Sequence, residues 1–429
     1  MDIRDWINVF HTGRADATLA RLYGADDEVL DTQRRRYIAA AERFGELFGE
    51  RSDVRAYSAP GRTEIGGNHT DHQRGCALAA AVNLDVISFV SFHDEGVIRL
   101  YSEGYGMTTI DLADLSVHEG EKGSTAGIIR GVAARFEQMG VKVGGFDAYA
   151  ASDVLGGSGL SSSAAFETLV GTMIDLYYNN GDEGAVSIAK IGQYAENAYF
   201  GKGSGLLDQT VCSVGGFVFI DFADAENPVV EQHSFDFESA GYRLCITDTK
   251  GSHSDLTDDY VAVPAEMRSV AACFHKDVLH EVDEQAFYDA IPSLRSRCSD
   301  RALLRAIHFF GENRRAREEA AALDRGDLDE FFRLFCASAH SSANLLQNLY
   351  STGKPTEQGI TLAIAVSKLV LGQGAPVRVH GGGFAGTVQA FVSFEKTEEY
   401  RRKMDALFGE GSCYVLRIRP VGGCEILPD

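Results

Sequence analysis

The chain has 429 residues, which is long for one hydrophobic core and predicts two domains. Hydrophobic residues make up 45% and charged residues 24%, as in a soluble globular protein, and no uncharged apolar run reaches the ~18 residues of a membrane span. The net charge of −22 repels nucleic acid and anionic membranes, so any bound phosphate must be held by local positive groups, backbone dipoles or a magnesium ion.

Hydrophobic periodicity predicts helices and strands in both halves of the chain. The predicted helices lie at 31–49, 125–139, 162–178, 184–200 and 357–371, and over much of 300–350. The predicted strands lie at 54–59, where Pro60-Gly61 is expected to end the strand, at 78–92, within 211–250, and in two strands that close the chain. This mixture indicates an α+β architecture, with domains predicted at 1–215 and 216–429.

The cysteines predict a reducing environment. All eight are scattered singly without CxxC or CxxH spacing, which argues against a zinc site or a disulfide framework. The N-terminal residues from Met1 to Trp6 are partly acidic and lack the apolar core of a secretory signal. Free thiols in such a chain fit a cytoplasmic protein.

A polar, glycine-rich segment follows the first predicted strand. It runs from Pro60 to His72 and contains an arginine, two histidines, an asparagine and two acids among three glycines. Polar side chains this dense on a loop suit hydrogen bonds to a polyhydroxylated ligand. A metal site built on His69 with Asp71 or His72 lacks an established ligand spacing. An ordinary surface turn also remains open from this segment alone.

A second segment, Gly157 to Ala164, joins small residues directly to a predicted helix. Phe166, Leu169, Val170 and Met173 form the apolar face of that helix. A glycine-rich loop that opens a helix presents unpaired N–H groups to an anion, and serine hydroxyls can bind phosphate or a metal. We call residues 157–163 the phosphate loop. The alternative for this segment alone is a flexible turn with a serine N-cap.

A third segment, His380 to Gly386, satisfies the GxGxxG pattern of dinucleotide-binding proteins. That pattern requires a following helix, whereas residues 387–394 predict a strand. The segment is therefore better explained as a glycine-rich bend between strands that lies against another backbone or a ligand. No Walker A motif is present, because Gly201-Lys202 and Gly353-Lys354 both lack the upstream glycine.

In this order, the three segments resemble the three motifs of the GHMP kinase superfamily, and most closely those of galactokinases. The first resembles the galactokinase signature GRxNxIGEHxDY, with matches at Gly61, Arg62, Gly67, His69 and Asp71. The second is similar to the PxGxGLSSSA phosphate loop, with Leu155 in place of proline, and the third to GGGFGG, with Ala385 for one glycine.

Two further stretches strengthen the resemblance, which spans most of the chain. Glu196 and the run from Gly205 to Gln209 resemble the family's Glu…GxxDQ stretch, and His253-Ser254 through Tyr260 resembles its HSxxxxxY element. Without these matches, Glu196 would be taken for solvated surface, Asp208 for a loop or cap carboxylate, and Tyr260 for a half-buried aromatic.

The resemblance implies a two-domain GHMP kinase fold with its active site in the interdomain cleft. It implies transfer of the ATP γ-phosphoryl group, with Mg²⁺, to the anomeric C1 hydroxyl of galactose, and no obligate protein partner. In this scheme Asp208 accepts the sugar proton and Arg62 keeps it ionised. The implied ATP ligands are Gly157, Ser158, Gly159, Leu160, Ser161, Ser162 and Ser163, and the magnesium ligands are Ser163 and Glu196. The implied sugar contacts are Asn68, His69, Asp71, Gly205 and Tyr260, with the 381–386 turn as a buttress.

Two departures from the signature leave the sugar open. Asn68 replaces the usual glutamate that receives a hydrogen bond from the sugar O6, and His72 replaces the final tyrosine. A neutral asparagine would tolerate a C6 carboxylate, and a protonated His72 would attract it. The run Asp71-His72-Gln73 also resembles plant galacturonate kinases. Galactose is the first expectation and a hexuronate the alternative.

Two other functions are compatible with the superfamily. A non-catalytic sugar sensor, like the galactokinase-like regulators of yeasts, would differ in the serine–alanine part of the phosphate loop, but Ser163-Ala164 is intact. A kinase for a non-sugar alcohol such as mevalonate or homoserine would lack the His69-x-Asp71 element. Both are therefore less favoured than a sugar kinase.

Overall fold

The computed structural model describes residues 1–154, 159–252 and 256–428. The first half of the chain contains α1 (Ile3–His11), α2 (Asp16–Tyr23), α3 (Asp27–Phe48), β1 (Val54–Gly66), β2 (Cys76–His93), β3 (Val97–Ser102), β4 (Gly106–Asp111), α4 (Thr125–Gln138), β5 (Gly145–Ser152), α5 (Ser162–Tyr178), α6 (Gly184–Ala195), α7 (Leu207–Val214), β6 (Phe217–Asp221) and β7 (Val229–His233). The second half contains β8 (Tyr242–Asp248), α8 (Thr257–Ala272), α9 (Glu284–Leu294), α10 (Asp300–Asp324), α11 (Leu328–Ser341), α12 (Gly359–Leu371), β9 (Val377–His380), β10 (Thr387–Ser393), α13 (Phe394–Phe408), β11 (Cys413–Leu416) and β12 (Cys424–Ile426).

The strands form two sheets, which confirms the α+β prediction. The larger sheet has eight strands in the order β12-β1-β2-β5-β3-β4, with β6 paired to β2 and β7 to β6. The smaller sheet has the order β11-β8-β10-β9. Strand β2 is long enough to pair β6 through Cys76–Ala80 and β5 through Val86–His93. One strand therefore spans two parts of the larger sheet.

The change from one sheet to the other does not coincide with the predicted domain boundary at 215/216. Strands β6 and β7 belong to the larger sheet although they follow that boundary, and β12 returns to pair with β1 near the end of the chain. The smaller sheet begins only at Tyr242. The division into 1–215 and 216–429 remains a prediction about folding units.

The helix predicted at 162–178 is confirmed as α5, with the same limits. The prediction that Pro60-Gly61 ends the first strand is wrong, because β1 continues to Gly66 through a register shift between Pro60 and Arg62. A β-bulge accommodates the missing proline N–H without ending the pairing with β2. Glycine is required beside it, since a Cβ at Gly61 would lie 2.7 Å from the carbonyl oxygen of Leu160.

Six helices were not expected from the sequence, namely α1, α2, α7, α8, α9 and α13. Helix α7 occupies residues assigned in part to strands, and α13 separates the last strands of the chain. The helix predicted at 184–200 is α6 followed by a π turn at Glu196–Phe200. These differences matter for the site, because α7 carries Asp208 in its first turn and the π turn begins with Glu196.

An aromatic cluster packs the smaller sheet against α11. Phe391 of β10 stacks on Phe237 with ring centroids 4.5 Å apart and meets Phe335 of α11 edge-on at 5.3 Å. Each aromatic side chain of this size removes a large apolar area from water, so the cluster holds the sheet and helix together. Among the described residues, no helix is long and apolar enough to cross a membrane.

Candidate active site

An arginine–aspartate pair joins β1 to the start of α7. Arg62 Nε lies 2.7 Å from Asp208 Oδ1 and Arg62 Nη2 lies 2.6 Å from Asp208 Oδ2. Arg62 also donates to the carbonyl of Gly159, and the Ser161 hydroxyl donates to Asp208 Oδ2. Burial raises the pKa of Asp208, but the Arg62 charge and these hydrogen bonds outweigh it, so the pKa lies below its usual value. The carboxylate is therefore ionised.

The C-terminal part of the phosphate loop lies against this pair. Gly159 and Ser161 both have positive φ, 75° and 58°, and Ser162 begins α5. Such a turn leaves the first N–H groups of α5 without intrahelical partners, as an anion site requires. The side chain of Leu160 is buried in the core, so only its backbone is available to a ligand. Gly157 and Ser158 lie outside the described residues.

The two predicted magnesium ligands are adjacent. Ser163, in the first turn of α5, donates to Glu196 Oε1 at 3.3 Å, and the Lys202 ammonium pairs with the same oxygen at 3.0 Å. Glu196 is buried, which excludes the solvated-surface alternative. The Gln209 amide nitrogen donates to Glu196 Oε2 at 2.9 Å and to Glu167 Oε2 at 3.0 Å, and so links two acids. Burial, followed by the nearby Glu196, raises the pKa of Glu167 to about 8.

The third glycine segment connects the elements around the cleft through its carbonyl groups. Asn68 donates to the carbonyl of Gly381 at 2.8 Å, the His69 ring nitrogen Nε2 lies 2.9 Å from that of Gly382, and Tyr260 donates to that of Gly383 at 2.8 Å. Three side chains thus contact the carbonyl groups of three successive glycines. The turn buttresses the signature loop and α8 together. His253 and Ser254, which precede α8, lie outside the described residues.

Close approach explains why two residues of this turn are glycine. A Cβ at Gly382 would lie 2.7 Å from the Tyr260 ring, and a Cβ at Gly383 would overlap the carbonyl oxygen of Asn348. Gly383 also has a φ of 78°, which disfavours other residues. The segment is a bend between β9 and β10, as predicted, and β10 is a strand rather than the helix of a dinucleotide fold.

The structure brings Asp71 and Gly205 together from distant parts of the sequence. Asp71 opens a short 3₁₀ turn, and a Cβ at Gly205 would lie 3.3 Å from its Oδ2. Among the described residues, no side chain hydrogen-bonds the Asp71 carboxylate. Its oxygens are therefore available to a ligand such as a sugar hydroxyl.

Two buried residues of α10 hold the signature loop, and sequence reasoning missed both. Glu312 Oε1 accepts hydrogen bonds from the backbone N–H groups of Gly67 at 3.2 Å and Asn68 at 3.5 Å, and His308 Nε2 lies 2.8 Å from the Asn68 carbonyl. Burial opposes ionisation of Glu312, but the Arg315 charge brings its pKa to about 2. No local pattern marks these residues, because α10 looks like a charged surface helix in sequence.

The structure does not support the expected contact of Asn68 with the sugar. Its side chain is fully buried. The amide nitrogen donates to Glu64 Oε1 at 2.9 Å and to the Gly381 carbonyl, while the amide oxygen accepts from Asn348 at 2.9 Å and Ser342 at 3.4 Å. An amide has two donor hydrogens and two acceptor lone pairs, so protein groups occupy its whole hydrogen-bonding capacity.

The structure also gives no support to the second argument for a hexuronate, the attraction of its carboxylate by a protonated His72. Burial lowers the pKa of His72 to about 4, although the neighbouring Asp71 acts in the opposite direction. The imidazole is then neutral near pH 7 and carries no charge that would attract a carboxylate.

Glu64 is a further residue beside the signature loop that sequence reasoning missed. Its Oε1 accepts hydrogen bonds from Asn68 and from Arg378, the latter at 3.0 Å. A signal was present in the sequence: the signature has asparagine where this chain has Glu64 and glutamate where it has Asn68. The acid and the amide have exchanged positions and hydrogen-bond each other.

Comparisons with known proteins show which families this chain is similar to. The family model of the galactokinase galactose-binding signature matches residues 42–92, and that of the GHMP kinase N-terminal domain matches residues 127–216. A galactokinase from Streptomyces coelicolor is 28% identical over 380 residues, covering 88% of this chain and 94% of the relative.

Solved structures of galactokinase and mevalonate kinase are also similar to this chain. Lactococcus lactis galactokinase complexed with galactose superposes with a TM-score of 0.74 at 25% identity, covering 90% of this chain and 98% of that one. Methanococcus jannaschii mevalonate kinase shares the fold, with a TM-score of 0.61 at 14% identity, covering 86% of this chain and 99% of that one. In sequence and in fold, the chain is therefore similar to galactokinases, and it carries the GHMP kinase N-terminal domain.

Proposed function

We propose that this protein is an ATP-dependent sugar kinase that transfers the γ-phosphoryl group of ATP to the C1 hydroxyl of galactose, giving galactose 1-phosphate. The observation that carries the proposal is the paired Arg62 and Asp208 beside the end of the phosphate loop. The galactokinase relative and the galactose-bound structural neighbour support galactose as the sugar.

The proposed mechanism is mainly positioning and charge stabilisation. Asp208, ionised beside Arg62, accepts the proton of the C1 hydroxyl as that oxygen attacks the γ-phosphorus. Arg62 then stabilises negative charge on the transferring group. The phosphate loop and the N-terminus of α5 hold the ATP phosphates through backbone N–H groups and serine hydroxyls. His69, Asp71, Gly205 and Tyr260 remain the proposed sugar-side residues.

The residues near the phosphate loop fit a magnesium ion. Ser163 and Glu196 offer a hydroxyl and a carboxylate 3.3 Å apart, and oxygen ligands suit this hard cation. Magnesium, when bound, would neutralise part of the phosphate charge. Lys202 now balances the Glu196 charge and is largely exposed, so it can move away from the carboxylate when a cation competes for it.

An ADP-release assay tests the proposal directly. Purified protein is incubated with ATP, Mg²⁺ and either galactose, galacturonate, glucose or arabinose, and the product is identified by phosphorus NMR. We expect ADP release with galactose and a phosphate on C1. Absence of turnover with every sugar, despite measurable binding of galactose, would instead support the sugar-sensor alternative. A preference for galacturonate would support the hexuronate kinase, which no feature of the site now favours.

A further inference from the structure

Glu64 retains one carboxylate oxygen without a hydrogen-bond partner. Its Oε1 accepts from Asn68 and Arg378, whereas Oε2 accepts from none of the described residues. The side chain is 13% exposed, and its partner Arg378 is fully buried. Two hydrogen bonds to Oε1 fix the carboxylate, so Oε2 is held in place while remaining available.

The position of Glu64 on β1 connects it to the active site. Residues 62 to 64 pair in regular register with Ala79–Ala81 of β2, so Arg62 and Glu64 project from the same face of the strand. The Glu64 backbone N–H also faces His380 Nε2 at 3.4 Å, directly before the glycine turn. Glu64 therefore lies next to Arg62 on the face of β1 that carries the proposed active site.

Glu64 is surrounded by charges of both signs. Arg378 and Arg62 are its cationic neighbours, Asp71 is an acidic neighbour, and the buried Glu319 lies on α10 nearby. Burial raises the pKa of Glu64 to about 7, which the two arginines partly oppose. Burial lowers the pKa of His380 to about 3, so that neighbour is neutral. Glu64 thus gains its charge over the neutral pH range.

We propose that Glu64 determines the sugar specificity of this kinase: its Oε2 accepts a hydrogen bond from a hydroxyl of the sugar other than that on C1, and its charge repels sugars that carry a carboxylate at that position. The proposal rests on the proposed function and specifies its substrate class as neutral hexoses. Asn68 then acts as a positioning residue, because it orients Glu64 without contacting the sugar.

The central test compares Glu64→Gln with wild type by calorimetric binding of galactose and by kcat/KM for galactose and galacturonate. Glutamine preserves the size of the side chain and removes the charge. We expect galactose binding to weaken about tenfold, since hydrogen bonds to charged groups exceed neutral ones. We expect the galactose-to-galacturonate ratio of kcat/KM to fall about tenfold or more, because the repulsion is lost.

A pH series and a series of deoxygalactoses separate this role from a structural one. In wild type the galactose-to-galacturonate ratio should rise between pH 6 and pH 8, whereas in Glu64→Gln it should be flat. The deoxygalactose that lacks the contacted hydroxyl should bind wild type and variant equally. The control Glu137→Gln removes an exposed acid on α4 and should match wild type in all these measurements.

Glu64→Asp gives a second variant should Glu64→Gln fold poorly. It keeps the charge and shortens the reach, so galactose binding should weaken while galacturonate stays excluded. The role of Glu64 would be overturned if folded Glu64→Gln kept both the galactose affinity and the sugar ratio of wild type. It would also be overturned if Glu64→Asp bound galactose as tightly as wild type. Such a result with an active wild-type enzyme leaves the proposed function intact, whereas a wild type that makes no galactose 1-phosphate contradicts that function.

Discussion

The guanidinium of Arg62 donates to both carboxylate oxygens of Asp208, at 2.7 Å and 2.6 Å. This two-point contact fixes the plane of the carboxylate as well as its position. It also sets the pKa of Asp208 below its usual value against the effect of burial. A carboxylate held in this way is ionised at neutral pH, and one lone pair of Oδ1 remains for a hydrogen bond from a ligand.

We expect Asp208→Asn to lower kcat by about a hundredfold or more, because a positioned general base typically contributes 10²–10⁴-fold. The amide cannot take the proton, and its nitrogen would oppose a donor from Arg62 or Ser161. Asp300→Asn is the matched control, since Arg295 also makes two contacts to Asp300, but on an exposed surface. Near wild-type turnover in folded Asp208→Asn would remove this residue from the mechanism.

The magnesium proposal predicts a specific effect of Glu196→Gln. A neutral amide is a weaker ligand for a hard cation, so the magnesium concentration for half-maximal rate should rise. The measurement is a magnesium titration of initial rates at saturating ATP and galactose. Glu137→Gln, an exposed acid on α4, should leave the titration unchanged. If the two variants titrate alike, Glu196 has no part in binding the ion.

The sequence predicted those parts of the site that depend on local patterns. Arg62 and Asp208 were identified from ordered motifs, and α5 from its apolar spacing, because both signals reside in short stretches of chain. Residues that act through tertiary contacts gave no such signal. Glu312 supports the signature loop from more than two hundred residues away, and its helix differs little in sequence from an ordinary solvated one.

Asn68 illustrates a different limit of sequence reasoning. A substitution within a motif indicates that something has changed, but its meaning depends on the neighbouring side chains. Asn68 alone suggested that a negative charge had been lost from the sugar site. In the structure, Glu64 of β1 supplies a carboxyl group beside Asn68, so the acid has moved to a neighbouring position rather than been lost.

Glu319 predicts an unusual pH dependence of stability. Both of its carboxylate oxygens are buried without hydrogen-bond partners in the described structure, and burial, followed by the nearby Glu312, raises its pKa well above the usual value. Below the unfolded-state pKa, both states hold the proton and there is no penalty. As pH rises toward the folded-state pKa, only the unfolded state releases it, so stability falls by about 1.4 kcal/mol per pH unit.

We therefore expect Glu319→Gln to stabilise the protein increasingly as pH rises from 5 to 7. The measurement is urea unfolding of variant and wild type at several pH values. Glu318→Gln, the adjacent exposed acid on α10, is the control and should show no such trend. A stability difference independent of pH would mean that the folded state ionises Glu319 as readily as the unfolded chain.

The glycine turn after β9 allows a comparison of two alanine variants. Gly381 and Gly383 both have positive φ, 67° and 78°, so alanine is strained by about 1–2 kcal/mol at either position. A Cβ at Gly381 meets nothing within 4 Å, whereas a Cβ at Gly383 would overlap the Asn348 carbonyl. Gly383→Ala must therefore shift the turn, while Gly381→Ala need not.

We expect Gly383→Ala to lower stability more than Gly381→Ala and also to raise KM for galactose. The second effect follows because the carbonyls of this turn contact His69 and Tyr260, two residues of separate elements that we propose to bind the sugar. Thermal unfolding and steady-state kinetics of both variants measure the two effects. Since the φ strain is common to both, the difference between them isolates the overlap with Asn348. Equal losses in the two variants would show that the turn tolerates the displacement, and that its carbonyls do not position the residues proposed to bind the sugar.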